Sequence, residues 1–266
     1  MDLELTGKRA LVTGGSRGIG KAIARALARE GCDVAICARS REPLEATARE
    51  LASDTGRRVV PITGDTGSNE SVQSMVAAAV RELGGIDILV NNAARPGGQG
   101  PVPNLAALTA EAFNEDMNVK VMGYLRCAQA AAPLMAANGW GRIINISGLA
   151  ARNAGTVIGS MRNVAISAMT KNLANELGPQ GINVTVVHPG TTRTEATPGV
   201  IERRAKSEGV SPAEIEKRMA ESNSVKRIID ASDIANVVAF LASPKSIAIN
   251  GDAIAAGGGV GTAIHY

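Results

Sequence analysis

The sequence predicts an α/β fold: a doubly wound parallel sheet of about seven strands, with helices on both faces in a three-layer αβα arrangement. Three observations predict it. Short β-branched or apolar runs alternate with longer amphipathic runs along the chain. Several short runs are apolar almost throughout, as strands covered on both faces are. Each short run also ends in small or polar residues, "TGGS", "ARS", "GDT", "NNAA", "SG" and "HPGTT". One edge of the sheet therefore collects the chemistry, beyond the carboxyl ends of the strands where such folds bind ligands.

The elements follow in order. "KRALVTG" (8–14) reads as the first strand, with a helix over 18–30. "CDVAICA" (32–38) precedes a helix over 42–53, and "RVVPITG" (58–64) one over 69–83. "IDILVNNA" (86–93) leads to a long amphipathic run, 110–137, and "GRIINIS" (141–147) to another, 159–178. "INVTVVHPG" (182–190) is followed, after an interruption, by a helix over 232–242 and a last strand, "GDAIAAGGG" (251–259). The interruption, about 191–227, is charged and carries a helix signal at 211–214. Ser211 reads as N-cap, Pro212 as the first helical position and Glu214 as closing a capping box. An excursion that leaves a strand's carboxyl end and returns to a final helix is expected to be a lid.

Composition narrows the classes. The 266 residues, 45% hydrophobic, hold no Pro/Ser/Gly linker and no composition break, so residues 1–266 are expected to form a single domain. A net charge of +3 spread along the chain argues against nucleic acid or an anionic membrane as partner. Cys32, Cys37 and Cys127 have no metal-ligand spacing and read as buried small hydrophobes, and no metal is expected. "MDLELTGKRALV" is acidic before it is apolar, unlike a signal peptide, and no run reaches the ~18 apolar residues of a membrane span. A cytoplasmic location is the expectation.

"TGGSRGIG" (13–20) follows the first strand and opens the first helix. Gly14, Gly18 and Gly20 there allow a tight turn, close approach to a pyrophosphate and close packing of helix on sheet. Free N–H groups at the helix start favour the anion. With "GDT" at 64–66, "NNAA" at 91–94, "DMN" at 116–118, "HPGTTRT" at 188–194 and "ING…GGG" at 249–259, the chain resembles the short-chain dehydrogenase/reductase family over nearly its whole length. The 3-oxoacyl-carrier-protein reductase branch is the nearest in kind. The resemblance implies a Rossmann-type nucleotide site and roles by position. Ser16, Arg17, Gly18 and Ile19 would belong to the phosphate loop, and Asp65 and Thr66 would meet the adenine. Asn92, Ala93 and Ala94 would border the adenosine ribose and pyrophosphate, with Ala94 standing where the family usually has Gly. Pro189, Gly190, Thr192 and Thr194 would hold the nicotinamide carboxamide and phosphates. Asn91 and Asn92 also admit a plainer reading, a satisfied turn.

The second strand ends "ICARS", with Arg39 where an NAD-type site places an acid, and Arg17 lies in the glycine loop. Two guanidiniums can clasp a 2′-phosphate, which an Asp would repel. NADP(H) is thus the expected cofactor, with NAD(H) as the alternative. Solvated surface arginines are the plainer reading of the same pair.

The family's catalytic groups are a Tyr that donates a proton, a Lys four residues on, a Ser after the fifth strand and an Asn in the preceding helix. This chain has two tyrosines, Tyr124 and Tyr266, and no Tyr-x-x-x-Lys. Aligning "TKNLANELGPQGINV" with the family's helix and turn sets Gly159 in the Tyr position and Asn163 in the Lys position; with a slip of one residue in the short loop 148–158, Ser160 and Val164 take those positions instead. Gly148 falls where the Ser usually stands, with Ser147 just before it. Of the four, only Asn118 remains. A positioned proton donor is worth ~10²–10⁴ in rate. The candidate substitutes are Ser147, Arg162 and Asn163. Asn163 can bond a ribose hydroxyl, and Arg162 can stabilise a developing oxyanion unless it pairs with a carboxylate or faces a subunit interface. Arg152 and Arg95 lie on loops at the same edge.

Two functions therefore compete, an NAD(P)-dependent oxidoreductase with atypical catalytic residues, acting on a small carbonyl, alcohol or enone, and an inactive nucleotide-binding sensor or structural subunit beside an active paralogue; a third, a non-redox lyase using the same pocket, has no positive feature in the sequence. The family also implies a homotetramer built on 110–137 and 159–178, whose Ala-rich faces permit close helix approach.

Overall fold

The computed structural model describes residues 1–94 and 104–262, so Arg95 and Tyr266 lie outside the described residues. In chain order the strands are β1 (Arg9–Thr13), β2 (Asp33–Ala38), β3 (Val59–Thr63), β4 (Ile88–Asn91), β5 (Gly141–Ile146), β6 (Ile182–Pro189), β7 (Thr192–Arg193), β8 (Ile229–Asp230) and β9 (Ala253–Ala256). The helices are α1 (Gly18–Arg29), α2 (Arg41–Thr55), α3 (Asn69–Leu83), α4 (Ala110–Met117), α5 (Gly123–Ala137), α6 (Val157–Leu177), α7 (Thr197–Glu208), α8 (Pro212–Glu221) and α9 (Ala231–Ala242). Seven strands form one parallel sheet in the order β3-β2-β1-β4-β5-β6-β9.

Burial explains which run takes which place. β4, β5 and β6 are buried at every position and lie centrally. Pro61, which has no N–H to give a second neighbour, sits in edge strand β3, paired only to β2. One core lies between the sheet and α1, α2 and α9, with Ile23, Leu44 and Ile234 fully buried. A second lies on the opposite face under α3, α5 and α6, with Val72, Cys127 and Ala174 inside it. The strand order reverses between β1 and β4, the switch point beyond whose carboxyl ends sheets of this kind bind ligands. The three cysteines are buried and unpaired, and burial is the first cause of thiol pKa values pushed up to about 12. Among the described residues no helix is long and apolar enough to cross a membrane, and no group of His, Cys, Asp or Glu could hold a metal.

Several elements differ from the sequence expectation. The run 110–137 is not one α-helix: between α4 and α5, Asn118–Met122 winds as a π-helical turn. That turn resets the phase so that Lys120 lies on the buried side with Tyr124, Cys127 and Ala131. The helix expected from 159 begins at Val157, because Thr156 caps it by accepting from the Gly159 N–H at 3.0 Å. The last strand stops at Ala256, since Gly258 and Gly259 turn into the left-handed region (φ 68° and 78°). The excursion holds two helices, α7 and α8, joined by a small apolar cluster of Ile201, Ala205, Ile215, Met219 and Ile228. Ser211 does cap α8, but the Glu214 carboxylate pairs with Arg218 instead of closing the box. The base of the excursion is tied by β7 and β8, with Thr192 opposite Ile229 and Arg193 opposite Asp230.

Candidate functional site

The glycine loop is built by close backbone contact at the β1 carboxyl end. Thr13 Oγ1 accepts from the N–H groups of Asn92 (3.0 Å) and Ala93 (3.1 Å). The Asn92 amide donates to the carbonyls of Thr13 (3.0 Å) and Gly14 (3.1 Å), so β1 and β4 are stitched across the switch point. The Asn92 amide nitrogen is thus committed to the framework. A Cβ at Gly14 would lie 2.8 Å from the Asn92 amide nitrogen, and one at Gly20 would lie 2.3 Å from the Gly14 carbonyl. Gly14 and Gly18 also have φ of 67° and 58°. Only glycine fits these positions.

The loop is fixed to its neighbours as well. The Gly15 N–H donates to the Cys37 carbonyl at the end of β2 (3.0 Å), and Thr47 of α2 donates to the Ser16 carbonyl (2.9 Å). Ile19 packs against the α1 core. Arg17 and Arg39 emerge from this corner, both exposed, and neither has an ion-pair partner among the described residues. Nearby arginines are committed: Arg25 bonds Glu50 and Arg57 bonds Asp33.

The α1 N-terminus already holds an anion. Gly18 N–H donates to the Glu195 carboxylate at 3.0 Å. Glu195 stands beside Thr194, whose methyl would be 3.6 Å from a Cβ at Gly18, so the base of the excursion rests on the glycine loop. A free N–H at a helix start draws negative charge, here a side-chain carboxylate standing where a phosphate group would fit. Around it, Pro189 ends β6 and Thr192 donates to the Gly190 carbonyl (3.0 Å). Gly190 is pressed against Gly257, where a Cβ would come within 2.9 Å. Ala94, three residues past the end of β4, is exposed. On the β3 side, Asp65 accepts from the Gly67 N–H (2.9 Å), and Thr66 donates to the Val119 carbonyl (3.0 Å).

A second cluster lies at the carboxyl ends of β5 and β6. Ser147 donates to the Asn163 carbonyl oxygen (3.1 Å). Lys120, 3% exposed, reaches across from the π turn and donates from Nζ to the Ser147 carbonyl (3.1 Å) and to Asn163 Oδ1 (3.2 Å). Burial, reinforced by the Arg162 charge and opposed by Asp116, pulls the Lys120 pKa down to about 7. His188 at the end of β6 meets Ser167 Oγ through Nε2 at 3.3 Å, and its Nδ1 is buried without a partner. Burial first, then Arg152 and Lys120, pull the His188 pKa down to about 4, so it is neutral near pH 7.

The expected site residues are therefore sorted. Ser147 and Asn163 are brought together. Asn118 is not with them: its amide donates to the Gly67 carbonyl (3.0 Å) and its oxygen accepts from Arg126 (2.8 Å), so its side chain lies toward the segment after β3. Arg162 does pair with a carboxylate, with both Asp116 oxygens 2.8 Å from Nη1. Its charge is compensated at source, so it is not a free cation for an oxyanion. Arg152 turns away to the Ala253 carbonyl (2.7 Å). Tyr124 is fully buried, donates to the Ile146 carbonyl (2.8 Å) and is pushed far up in pKa by burial. Gly148 abuts Asn163, whose amide nitrogen would be 3.0 Å from a Cβ there. Sequence reasoning missed Lys120. The signal available was a lysine on the apolar stripe 120, 124, 127, 131.

Comparison with known proteins follows the same lines. A family model described as enoyl-(acyl carrier protein) reductase matches residues 14–261. The 3-oxoacyl-[acyl-carrier-protein] reductase FabG of Aquifex aeolicus is 33% identical over 262 residues, 98% of this chain and 100% of that protein. L-sorbose reductase from Gluconobacter frateurii, solved with NADPH and L-sorbose, superimposes with a TM-score of 0.93 at 30% identity, covering 99% of this chain and 100% of its own. A short-chain dehydrogenase from Burkholderia cenocepacia, solved with NADP, gives 0.81 at 35% identity, covering 96% and 98%.

Removing the stand-in anion has a calculable effect. With Glu195→Gln the α1 N-terminus loses a competing carboxylate, worth about 0.3–1 kcal/mol at a helix end. Titration calorimetry is expected to give about 2–5-fold tighter dinucleotide binding; unchanged or weaker binding would show that the carboxylate does not hold the phosphate position.

Proposed function

This chain belongs to the short-chain dehydrogenase/reductase family of oxidoreductases, and from that premise we propose that it is an NADP(H)-dependent enzyme with a non-standard active site. Its substrate is a small carbonyl or alcohol compound, or an enone. The observation that carries the reading is the anion seat on the Gly18 N–H, flanked by two uncommitted guanidiniums.

The residues fit the cofactor. Gly14, Gly18 and Gly20 leave room where any Cβ would intrude, and Ser16 and Ile19 are fixed so that the loop is preorganised. Displacing Glu195 frees the Gly18 N–H for a pyrophosphate oxygen. Arg17 and Arg39 hold the 2′-phosphate, since no acid ends β2 to repel it. Asp65 and Thr66 border the adenine, Ala93 and Ala94 the pyrophosphate side, and Pro189, Gly190, Thr192 and Thr194 the nicotinamide end. The bound nicotinamide supplies or accepts hydride. The chain itself orients the substrate oxygen at the β5 edge, where Ser147 and Asn163 present polar groups. The excursion over 191–227, hinged on the β7–β8 pair and resting on the glycine loop through Glu195, closes over the bound pair as a lid and excludes water.

Self-association fits the same surface. Val157, Met161 and Val164 lie at helical spacing on α6, each at least half exposed. We place the homotetramer interface there and along α4–α5.

Three outcomes test this. NADPH is expected to bind at least about tenfold more tightly than NADH, the worth of a charge-assisted hydrogen bond, and Arg39→Asp is expected to reverse the order. Calorimetry giving equal affinities would overturn the cofactor assignment. Light scattering at micromolar concentration is expected to give a tetramer, with a dimer as the lower bound; a monomer would remove the interface. Finally, a panel of ketones and enones with NADPH is expected to yield turnover. Tight NADPH binding with no turnover across the panel would favour a nucleotide sensor instead.

A further inference from the structure

We propose that Lys120 is the proton donor of this site. Its ammonium, delivered from the π turn to Asn163 Oδ1 and the Ser147 carbonyl, protonates the substrate oxygen as the carbonyl carbon takes hydride from a bound reduced nicotinamide. The proposal rests on the nicotinamide reading above.

Cost and geometry argue for it. A buried ammonium without a contacting carboxylate is expensive, several kcal/mol before compensation. Lys120 has none: its two hydrogen-bond partners are neutral oxygens. An ammonium carries three N–H donors, and the third makes no hydrogen bond among the described residues. The group sits at the carboxyl ends of β5 and α6's partner strand β6, where ligands of such sheets bind.

The charges around Lys120 come from each packed element. Asp116 of α4 and Arg162 of α6 neutralise one another. His188 of β6 is neutral, and Arg152 beyond it acts on that imidazole. A lysine held near neutrality gives up a proton readily at pH 7, as a general acid must. In the step, the substrate C=O π bond breaks, a C–H bond forms from the hydride, and an O–H bond forms with the Nζ proton. Lys120 is left as a neutral amine and recovers its proton from water when the product leaves.

The test begins with cofactor-free protein carrying ¹³Cε-labelled lysine. The resonance missing from Lys120→Met is expected to titrate near pH 7, well below the ~10.4 of a free lysine. Stability follows by linkage. Between those two values the unfolded chain binds a proton that the folded chain does not, so wild-type stability is expected to rise with pH there relative to Lys120→Met. The second arm is NADPH-dependent reduction of trifluoroacetophenone. Lys120→Met is expected to lose about 10²–10⁴-fold in kcat, and to lose the fall in rate that wild type shows as pH rises through about 7. Calorimetric NADPH affinity is measured on both proteins. A Lys120 titration in the ordinary lysine range, a variant within threefold of wild type with the same pH profile, or wild type that binds NADPH without reducing the ketone would each overturn the assignment. Failure of both proteins to bind NADPH, with the titration near 7 intact, would overturn the cofactor reading and leave Lys120's proton chemistry supported.

Discussion

The close approach of Gly20 to the Gly14 carbonyl sets the rest of the site. With only 2.3 Å available to a Cβ, α1 is held hard against the end of β1. Asn92 completes the contact by closing both carbonyls, so β4 cannot shift without uncovering buried acceptors. The anion seat, the position of Glu195 and the resting place of the excursion all follow from that one packing constraint.

The fold was legible because strands buried on both faces must be apolar throughout, and β4, β5 and β6 announce themselves that way. The glycine loop was legible for a similar reason, since its spacing is dictated by backbone collisions. What was illegible depended on phase. A π turn adds a residue to one helical turn, and none of the residues Asn118–Met122 is a Pro or Gly, so the run from Ala110 to Ala137 reads as continuous when it is not. The consequence is specific: Asn118 swings toward Gly67, and Lys120, two residues on, takes the inward position. Likewise Arg162 looked available from its helix position alone, while Asp116 lies 46 residues away in sequence and 2.8 Å away in space.

Charge at this edge of the sheet is partitioned in an orderly way. Cations near carboxylates are neutralised in place, as Arg162 is by Asp116. Cations at the glycine corner, Arg17 and Arg39, are exposed and uncommitted, where an incoming phosphate loses little hydration before meeting them. The single buried cation among these is held by neutral oxygens. The first arrangement suits structural pairing, the second capture of an anion from solvent, and the third proton exchange with a bound group.

That partition bears on the proposed active site, in which the alignment sets Gly159 in the family's tyrosine position. Gly159 has no room for a side chain unless Thr156 gives up its cap, since a Cβ there would lie 2.5 Å from the Thr156 hydroxyl. Gly148 is similarly filled from outside by the Asn163 amide. Gly148 and Gly159 thus carry no side chain beside Asn163, and the long side chain of Lys120 reaches Asn163 from the π turn. The length of a lysine makes this contact physically direct: an ammonium on a four-carbon stem can cross between elements that a shorter acid or base could not bridge. Asn163 then serves the arriving cation as a neutral acceptor, whereas a second lysine in its place would set two positive charges side by side in a buried site.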